Sequence, residues 1–92
     1  MINVSEFVEK ALLKNVLPIS IYENFYKSFS ILETHNDFSL FDIKPIKAKT
    51  GIRFYRMRKG KYRAIFHLED NHIFIDLIGK REEVYNLWQQ KQ

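Results

Sequence analysis

Apolar residues in the first third of the chain recur every three or four positions, the spacing of one face of an α-helix. The first series comprises Val4, Phe7, Val8, Ala11 and Leu12, and the second comprises Tyr22, Phe25, Tyr26, Phe29 and Leu32. Asn3 is the expected N-cap of the first helix, with Glu6 three residues later. Pro18 separates the helices and suits the first turn of the second, which residues 35–37 should end.

The rest of the chain alternates in the manner of β-strands. Residues 42–47 predict a short strand that Pro45 restricts to an edge or a strand end. Residues 52–59 and 61–68 flank a tight turn at Gly60. Residues 72–78 read HIFIDLI and are apolar enough for a central strand, which Gly79 should end before a closing helical segment over 81–88.

These elements predict an α+β fold in one domain over residues 1–92. Two N-terminal helices would pack on a three- to four-stranded antiparallel sheet, and a short C-terminal helix would follow.

Alternation along the hairpin should separate cationic from apolar side chains, because residues i and i+2 of a strand share a face. The face toward the helices is expected to hold Tyr55, Met57, Tyr62, Ala64, Phe66 and Leu68. Arg56, Arg58 and Arg63 should converge on the other face, together with Ile65 and His67. We expect that face to be free of helices and of carboxylates, which would make it a preformed anion site.

Charge is distributed unevenly between the two halves of the chain. The formal net charge is +4, yet residues 1–42 hold three cations and six anions, whereas residues 43–92 hold twelve and five. Nine basic residues and no acidic one lie between Lys44 and Arg63. Such a field suggests a polyanionic partner, and arginine suits phosphate geometry. A cationic sheet surface that merely prevents aggregation is the alternative, but the concentration of arginine favours nucleic acid.

Several classes of protein are disfavoured by the composition. The chain has no cysteine, which excludes disulfides and thiolate metal sites and is compatible with a cytoplasmic location. Its apolar runs are too short to span a bilayer, and its N-terminus does not have the layout of a signal peptide. We find no spacing of histidine and carboxylate that suggests a metal site and no glycine-rich phosphate loop. A cofactor is therefore not expected.

The second half of the chain resembles the RelE/ParE superfamily of toxins. The segments that carry the resemblance are RFYRMR, KGKYRAIF, HIFIDLI and GKREEVY, in that order across residues 43–88. The resemblance implies a microbial-RNase-like α+β fold in a toxin encoded beside its antitoxin. Members of the RelE branch cleave mRNA in the ribosomal A site, whereas members of the ParE branch inhibit DNA gyrase. Members usually open with an edge strand, and MINVS is barely long enough to form it.

By position the chain keeps the RelE-type set, which implies the catalytic residues Arg56, Arg58, Arg63, Arg81 and Tyr85. The implied reaction is metal-independent transesterification by the RNA 2′-hydroxyl. Tyr85 would transfer a proton, with packing or base stacking as the alternative. Arg81 would contact the scissile phosphate, and Arg63 would position the backbone or form a structural salt bridge. Arg56 and Arg58 stand where RelE commonly has lysine, and a guanidinium is a poor base. His67 is a weaker candidate for acid–base chemistry.

Further RNA contacts are expected from Lys44, Lys47, Lys49, Arg53, Phe54, Lys59, Lys61 and Lys80. Phe54 would stack on a base or fill a cleft. The expected partners are an antitoxin, the ribosome and mRNA. Three interpretations stand: a ribosome-dependent mRNA endonuclease, a gyrase inhibitor that does not need Tyr85, and a catalytically weak RNA-binding relative.

Overall fold

Three α-helices and five strands make up the described part of the chain, residues 1–49 and 51–91 of a computed structural model. In chain order they are β1 (Ile2–Val4), α1 (Glu6–Leu13), α2 (Ile19–His35), β2 (Ile43–Ile46), β3 (Phe54–Lys59), β4 (Tyr62–Glu69), β5 (His72–Lys80) and α3 (Arg81–Lys91). A short 3₁₀ turn, Phe38–Leu40, follows α2. Within these ranges no helix is long and apolar enough to cross a membrane.

The strands form one sheet in the order β1-β5-β4-β3-β2. Strands β2 to β5 form the expected antiparallel meander, and β2, which contains Pro45, lies at one edge. The sheet has one strand more than the hydrophobic pattern predicts, because β1 pairs in parallel with β5 through Ile2 and Ile73. This pairing joins residues 71 positions apart, so local periodicity carries no trace of it.

Strand β1 also moves the start of the first helix. Asn3 lies in the strand, so the predicted N-cap is wrong and Ser5 takes that place. The Ser5 hydroxyl oxygen accepts a hydrogen bond from Val8 N at 3.2 Å, and the hydroxyl donates to the Asp76 carbonyl at 2.7 Å. One side chain therefore caps α1 and ties it to β5.

Helix α2 begins and ends as the sequence predicts. Pro18 is its N-cap, and Asn36 ends it in the left-handed conformation with φ 53°. Phe25, Phe29 and Leu32 are buried against the sheet, whereas Tyr26 is exposed at the border of the apolar stripe. The face of α2 that meets the sheet is thus narrower than the predicted stripe.

The larger core lies between the sheet and helices α1 and α2. Phe29 packs edge-on against Phe66 with ring centroids 4.9 Å apart, and Met57 and Ala64 beside them are fully buried. Leu68, which was expected on this face, is exposed near the end of β4. The alternation along β3 and β4 is otherwise confirmed by their pairing.

Helix α3 covers part of the opposite face, so the expectation that this face is free of helices is wrong. Val84 and Trp88 of α3 pack on Ile65 and Leu77 and form a second, smaller core. An irregularity in the β4–β5 pairing makes this possible, because Ile65 pairs with Leu77 while Phe66 pairs with Ile75. Asp76 is the extra residue of this bulge, and it turns Leu77 toward α3.

Candidate functional site

The predicted cationic residues lie in cross-strand rows on the face that α3 partly covers. In one row Arg58 lies opposite Arg63, and Arg63 lies opposite Gly79. In the next row Lys44 lies opposite Arg56, and Arg56 lies opposite Ile65. The predicted convergence of Arg56, Arg58 and Arg63 on one face is therefore confirmed.

A pocket of about 290 Å³ opens between this face and α3. Three of the five predicted catalytic residues line it, namely Arg56, Arg63 and Tyr85. The remaining lining residues are Ile46, Lys47, Ile65, Val84, Trp88 and Gln89. The pocket thus has an apolar floor, two guanidinium groups and one phenol, an arrangement that suits an anion attached to a flat, partly apolar group.

Arg63 is the most deeply placed cation of the set. It is only 8% exposed, and its Nη1 donates hydrogen bonds to the carbonyl oxygens of Gly60 at 3.1 Å and Tyr62 at 3.2 Å. Burial lowers its pKa from the usual value, and repulsion from Arg56, Arg58 and Arg81 adds to this effect. The carbonyl contacts hold the guanidinium in place. No carboxylate among the described residues contacts it, so the alternative that Arg63 forms a structural salt bridge is not supported.

Arg56 and Arg58 share a carboxylate that was not predicted from the sequence. Asp42 Oδ1 lies 3.2 Å from Arg56 Nη2, and Asp42 Oδ2 lies 2.6 Å from Arg58 Nε. The expectation of a cation site without carboxylates is therefore wrong. Asp42 directly precedes β2, two positions before the basic stretch, so a slightly wider window of sequence would have included it.

Arg81 and Tyr85 both belong to the first half of α3. The Arg81 guanidinium carbon lies 6.0 Å from the centre of the Tyr85 ring, and both residues are exposed. Arg81 N is also 3.4 Å from the Lys61 carbonyl oxygen, which connects the start of α3 to the β3–β4 turn. Repulsion from Arg81 also contributes to the lowered pKa of Arg63. The guanidinium groups of Arg81 and Arg63 are therefore close enough to act on the same bound anion.

The eight predicted RNA contacts are spread over several parts of the surface. Lys47 lines the pocket, and Lys44 is exposed in the same row as Arg56. Lys49 and Arg53 are exposed in the β2–β3 connection, and Lys61 and Lys80 line a shallow depression with Arg81.

Lys59 is turned to the other face, with its ammonium 5.7 Å from the Phe41 ring. Phe54 packs on Trp88 with centroids 4.7 Å apart, which favours its cleft-filling interpretation over base stacking.

His67 is held by carboxylates away from the pocket lining. Its Nδ1 lies 2.6 Å from Asp76 Oδ2, and its Nε2 lies 3.5 Å from Glu69 Oε2. The ring also stacks on Phe74, and the side chain is only 12% exposed. These contacts describe a structural histidine. Across the described residues, no group of three or more histidine or carboxylate side chains is placed to hold a metal ion.

Gly79 is a further residue whose role the sequence did not reveal. It lies opposite Arg63, and a Cβ at this position would approach Val84 Cγ2 to 3.3 Å. Glycine therefore permits the first turns of α3, which carry Arg81 and Tyr85, to lie close to the sheet.

Solved structures resemble most of this architecture, although no protein-family model and no curated protein matches the chain. A chain from the archaeal RelE–RelB complex of Pyrococcus horikoshii OT3 superposes with a TM-score of 0.67 and 29% identity, over 87% of this chain and 92% of that one. The RelB–RelE antitoxin–toxin complex of Methanococcus jannaschii gives a TM-score of 0.67 at 24% identity, over 94% and 98% of the two chains. YafQ from E. coli strain BL21(DE3) gives 0.59 at 16% identity, over 92% and 97%.

Proposed function

We propose that this chain, which has the fold of the RelE-like toxins, is the toxin of a toxin–antitoxin pair and an endoribonuclease that cleaves mRNA in the ribosomal A site. The observation that carries the proposal is the pocket in which Arg56, Arg63 and Tyr85 meet beside Arg81. A gyrase inhibitor would have no need of this grouping of cations and a phenol at one concave site.

RNA supplies its own nucleophile for the proposed reaction. The 2′-hydroxyl oxygen attacks the adjacent phosphorus, the bond from phosphorus to the 5′ oxygen breaks, and a 2′,3′-cyclic phosphate and a 5′-hydroxyl result. The 2′-hydroxyl loses a proton and the departing 5′ oxygen gains one. A protein that holds the two oxygens in line across phosphorus gains much of the rate from positioning.

The arginines stabilise charge in this scheme. Arg63 is fixed by two carbonyl contacts and presents a buried cation that needs little reorganisation when negative charge grows on the phosphate. Arg81 is exposed at the start of α3 and is assigned to the scissile phosphate. Arg56 lines the pocket wall. None of the three transfers a proton, because arginine stays protonated in proteins.

Proton transfer is assigned to Tyr85. Its phenol ring lines the pocket together with Arg56 and Arg63. The ring also lies beside the Arg81 guanidinium. His67, the other candidate, is engaged with Asp76 and does not line the pocket. A phenol is a modest acid–base group, so we expect the reaction to depend on the ribosome to hold mRNA in line.

The proposed partners follow from the same fold. Two of the matching structures are complexes of RelE with RelB, which supports a cognate antitoxin for this chain. The exposed Lys44, Lys47, Lys49 and Arg53 are assigned to the phosphates of mRNA or ribosomal RNA around the pocket.

Inducing the protein without an antitoxin tests the proposal directly. We expect growth to arrest, translation to stop, and mRNA ends to map inside translated codons. An Arg81→Ala/Tyr85→Phe double variant produced at the same level is the control and should leave mRNA intact. Intact mRNA with double-strand breaks in DNA after induction of the unmodified protein would assign the chain to gyrase inhibition.

Purified protein provides a second test. Free mRNA should be cut slowly or not at all, whereas the same mRNA on programmed ribosomes should be cut readily. Efficient cleavage of free RNA would contradict the ribosome dependence and would reopen the question of the general base.

A further inference from the structure

The carboxylate of Asp42 lies between the two arginines of β3. It contacts Arg56 Nη2 at 3.2 Å through one oxygen and Arg58 Nε at 2.6 Å through the other. The two arginines differ in exposure, since the Arg56 side chain is 14% exposed and that of Arg58 is 53% exposed. Asp42 therefore joins a cation in the pocket wall to a cation that solvent reaches easily.

The position of Asp42 is set by the sheet. Its carbonyl oxygen accepts a hydrogen bond from Arg58 N at 3.0 Å, and the next residue, Ile43, pairs with Met57 in the β2–β3 ladder. On the other side Phe41 packs against the larger core. With both neighbours fixed and a short side chain, the carboxylate has little freedom to move away from the arginines.

Like charges oppose each other at this point of the sheet. Arg58 lies directly opposite Arg63, a pairing that normally destabilises a sheet. Repulsion from Arg56 and Arg58 contributes to the lowered pKa of Arg63. Asp42 places one negative charge against two of these three cations, Arg56 and Arg58.

We propose that Asp42 is a positioning residue that holds Arg56 against the pocket wall and acts as a resident counter-anion that competes with an RNA phosphate for Arg58. The inference rests on the proposed function, because it takes single-stranded RNA as the ligand. Binding of RNA then requires Arg58 to exchange a carboxylate for a phosphate. Asp42 thus weakens binding and improves the geometry of the bound complex.

Replacing Asp42 with asparagine separates these effects. Asparagine has the same shape and keeps one acceptor oxygen, but it removes the charge. We expect Asp42→Asn to bind RNA more tightly and to cut ribosome-bound mRNA more slowly, because Arg56 loses its charged partner. If the carboxylate served only to stabilise the fold, its loss would leave binding unchanged or weaker.

The test is fluorescence anisotropy with a single-stranded, fully 2′-deoxy oligonucleotide, which has no 2′-hydroxyl and cannot be cleaved. The plot of log K against log salt, measured from about 50 to 200 mM, should steepen by about 0.7 in Asp42→Asn, the value for one additional phosphate contact on a single strand. Glu23→Gln, on exposed α2 surface, removes the same charge elsewhere and should leave the slope unchanged. Asp42→Glu keeps the charge and should retain the original slope.

An unchanged or shallower slope in Asp42→Asn, or equal steepening in Glu23→Gln, would overturn the inference. NMR on the unmodified protein provides a reading that does not require the variant to fold. The Asp42 carboxyl carbon and Arg58 Nε should shift together as the same oligonucleotide is added, and an unmoved Asp42 signal would also overturn the inference.

Failure of the proposed function can be distinguished from failure of this inference. If induction leaves mRNA intact but the slope steepens as expected, the nuclease assignment is wrong and the role of Asp42 stands. If mRNA is cut and the slope does not change, the nuclease assignment stands and the role of Asp42 is wrong.

Discussion

The two faces of the sheet are built from the same strands and have opposite characters. Among the residues that the structure describes, the cluster on the side of α1 and α2 holds eleven buried residues, whereas the cluster on the side of α3 holds four. Arg63 is buried at the border of the smaller cluster, and the pocket opens there. Most of the stability should therefore come from one face, which leaves the other free to hold three arginines with a single shared carboxylate.

Alternation explains how one hairpin serves both faces. Tyr55, Met57, Ala64 and Phe66 point to the larger core, and the arginines between them point to the pocket. A substitution on the first face should therefore act on folding, and a substitution on the second should act on chemistry. The following predictions test that separation.

The largest effect is expected from Phe66→Ala. Phe66 is fully buried and contacts the rings of Phe29, Phe38 and Tyr55. Loss of the ring should lower the free energy of unfolding by about 3 to 5 kcal/mol, because a cavity remains in the larger core. Chemical denaturation measures this loss, and a change below about 1 kcal/mol would mean that the larger core does not carry the stability.

Arg81→Ala should leave folding almost unchanged and damage cleavage. Arg81 is exposed, so its removal opens no cavity. Loss of a preorganised cation from the developing charge should raise the activation free energy by about 2 to 4 kcal/mol. Single-turnover cleavage on programmed ribosomes measures this, with Lys27→Ala on the exposed surface of α2 as the control. Equal rates for both variants would remove Arg81 from the site.

Gly79→Ala should have the smallest effect, and it probes the contact between the sheet and α3. The new Cβ would lie 3.3 Å from Val84 Cγ2, so α3 must give by a few tenths of an ångström. Stability should change by no more than about 1 kcal/mol, since reduced chain entropy offsets the crowding. The cleavage rate should fall clearly even though the free energy of unfolding hardly changes, because Tyr85 directly follows Val84 and moves with it. Unaltered cleavage would show that the position of α3 is not critical.

Much of the fold follows from local pattern. The helices, the edge strand with Pro45 and the two faces of the hairpin were all predictable, because periods of 3.6 and 2 are visible within short windows. Strand β1 was not predictable from local pattern, because three residues give too little of it and its partner lies at the far end of the chain; the edge strand that the family resemblance placed in MINVS is nevertheless present. The bulge at Asp76 was also hidden, since HIFIDLI is apolar at five of its seven positions and such a run does not show which residues share a face.

The candidate site was predictable as a set of cations, and its electrostatics were not. Arg56, Arg58 and Arg63 share a face as expected. The contact of Asp42 with two of these arginines was not predictable, because it depends on the β2–β3 register. Helix α3 can pack on this face because Leu77 contacts it and Gly79 leaves room for Val84. Both conditions depend on how β5 pairs with β4, which the sequence does not show.

The measurement that tests the account most directly is single-turnover cleavage by Tyr85→Phe on programmed ribosomes. This change keeps the ring and removes only the hydroxyl at the pocket, and Tyr26→Phe makes the same change on the exposed part of α2. We expect Tyr85→Phe to slow cleavage by roughly 10² to 10⁴ with ribosome binding intact, and Tyr26→Phe to match the unmodified protein. A Tyr85→Phe protein that cuts at the full rate would contradict the assignment of proton transfer to the α3 face.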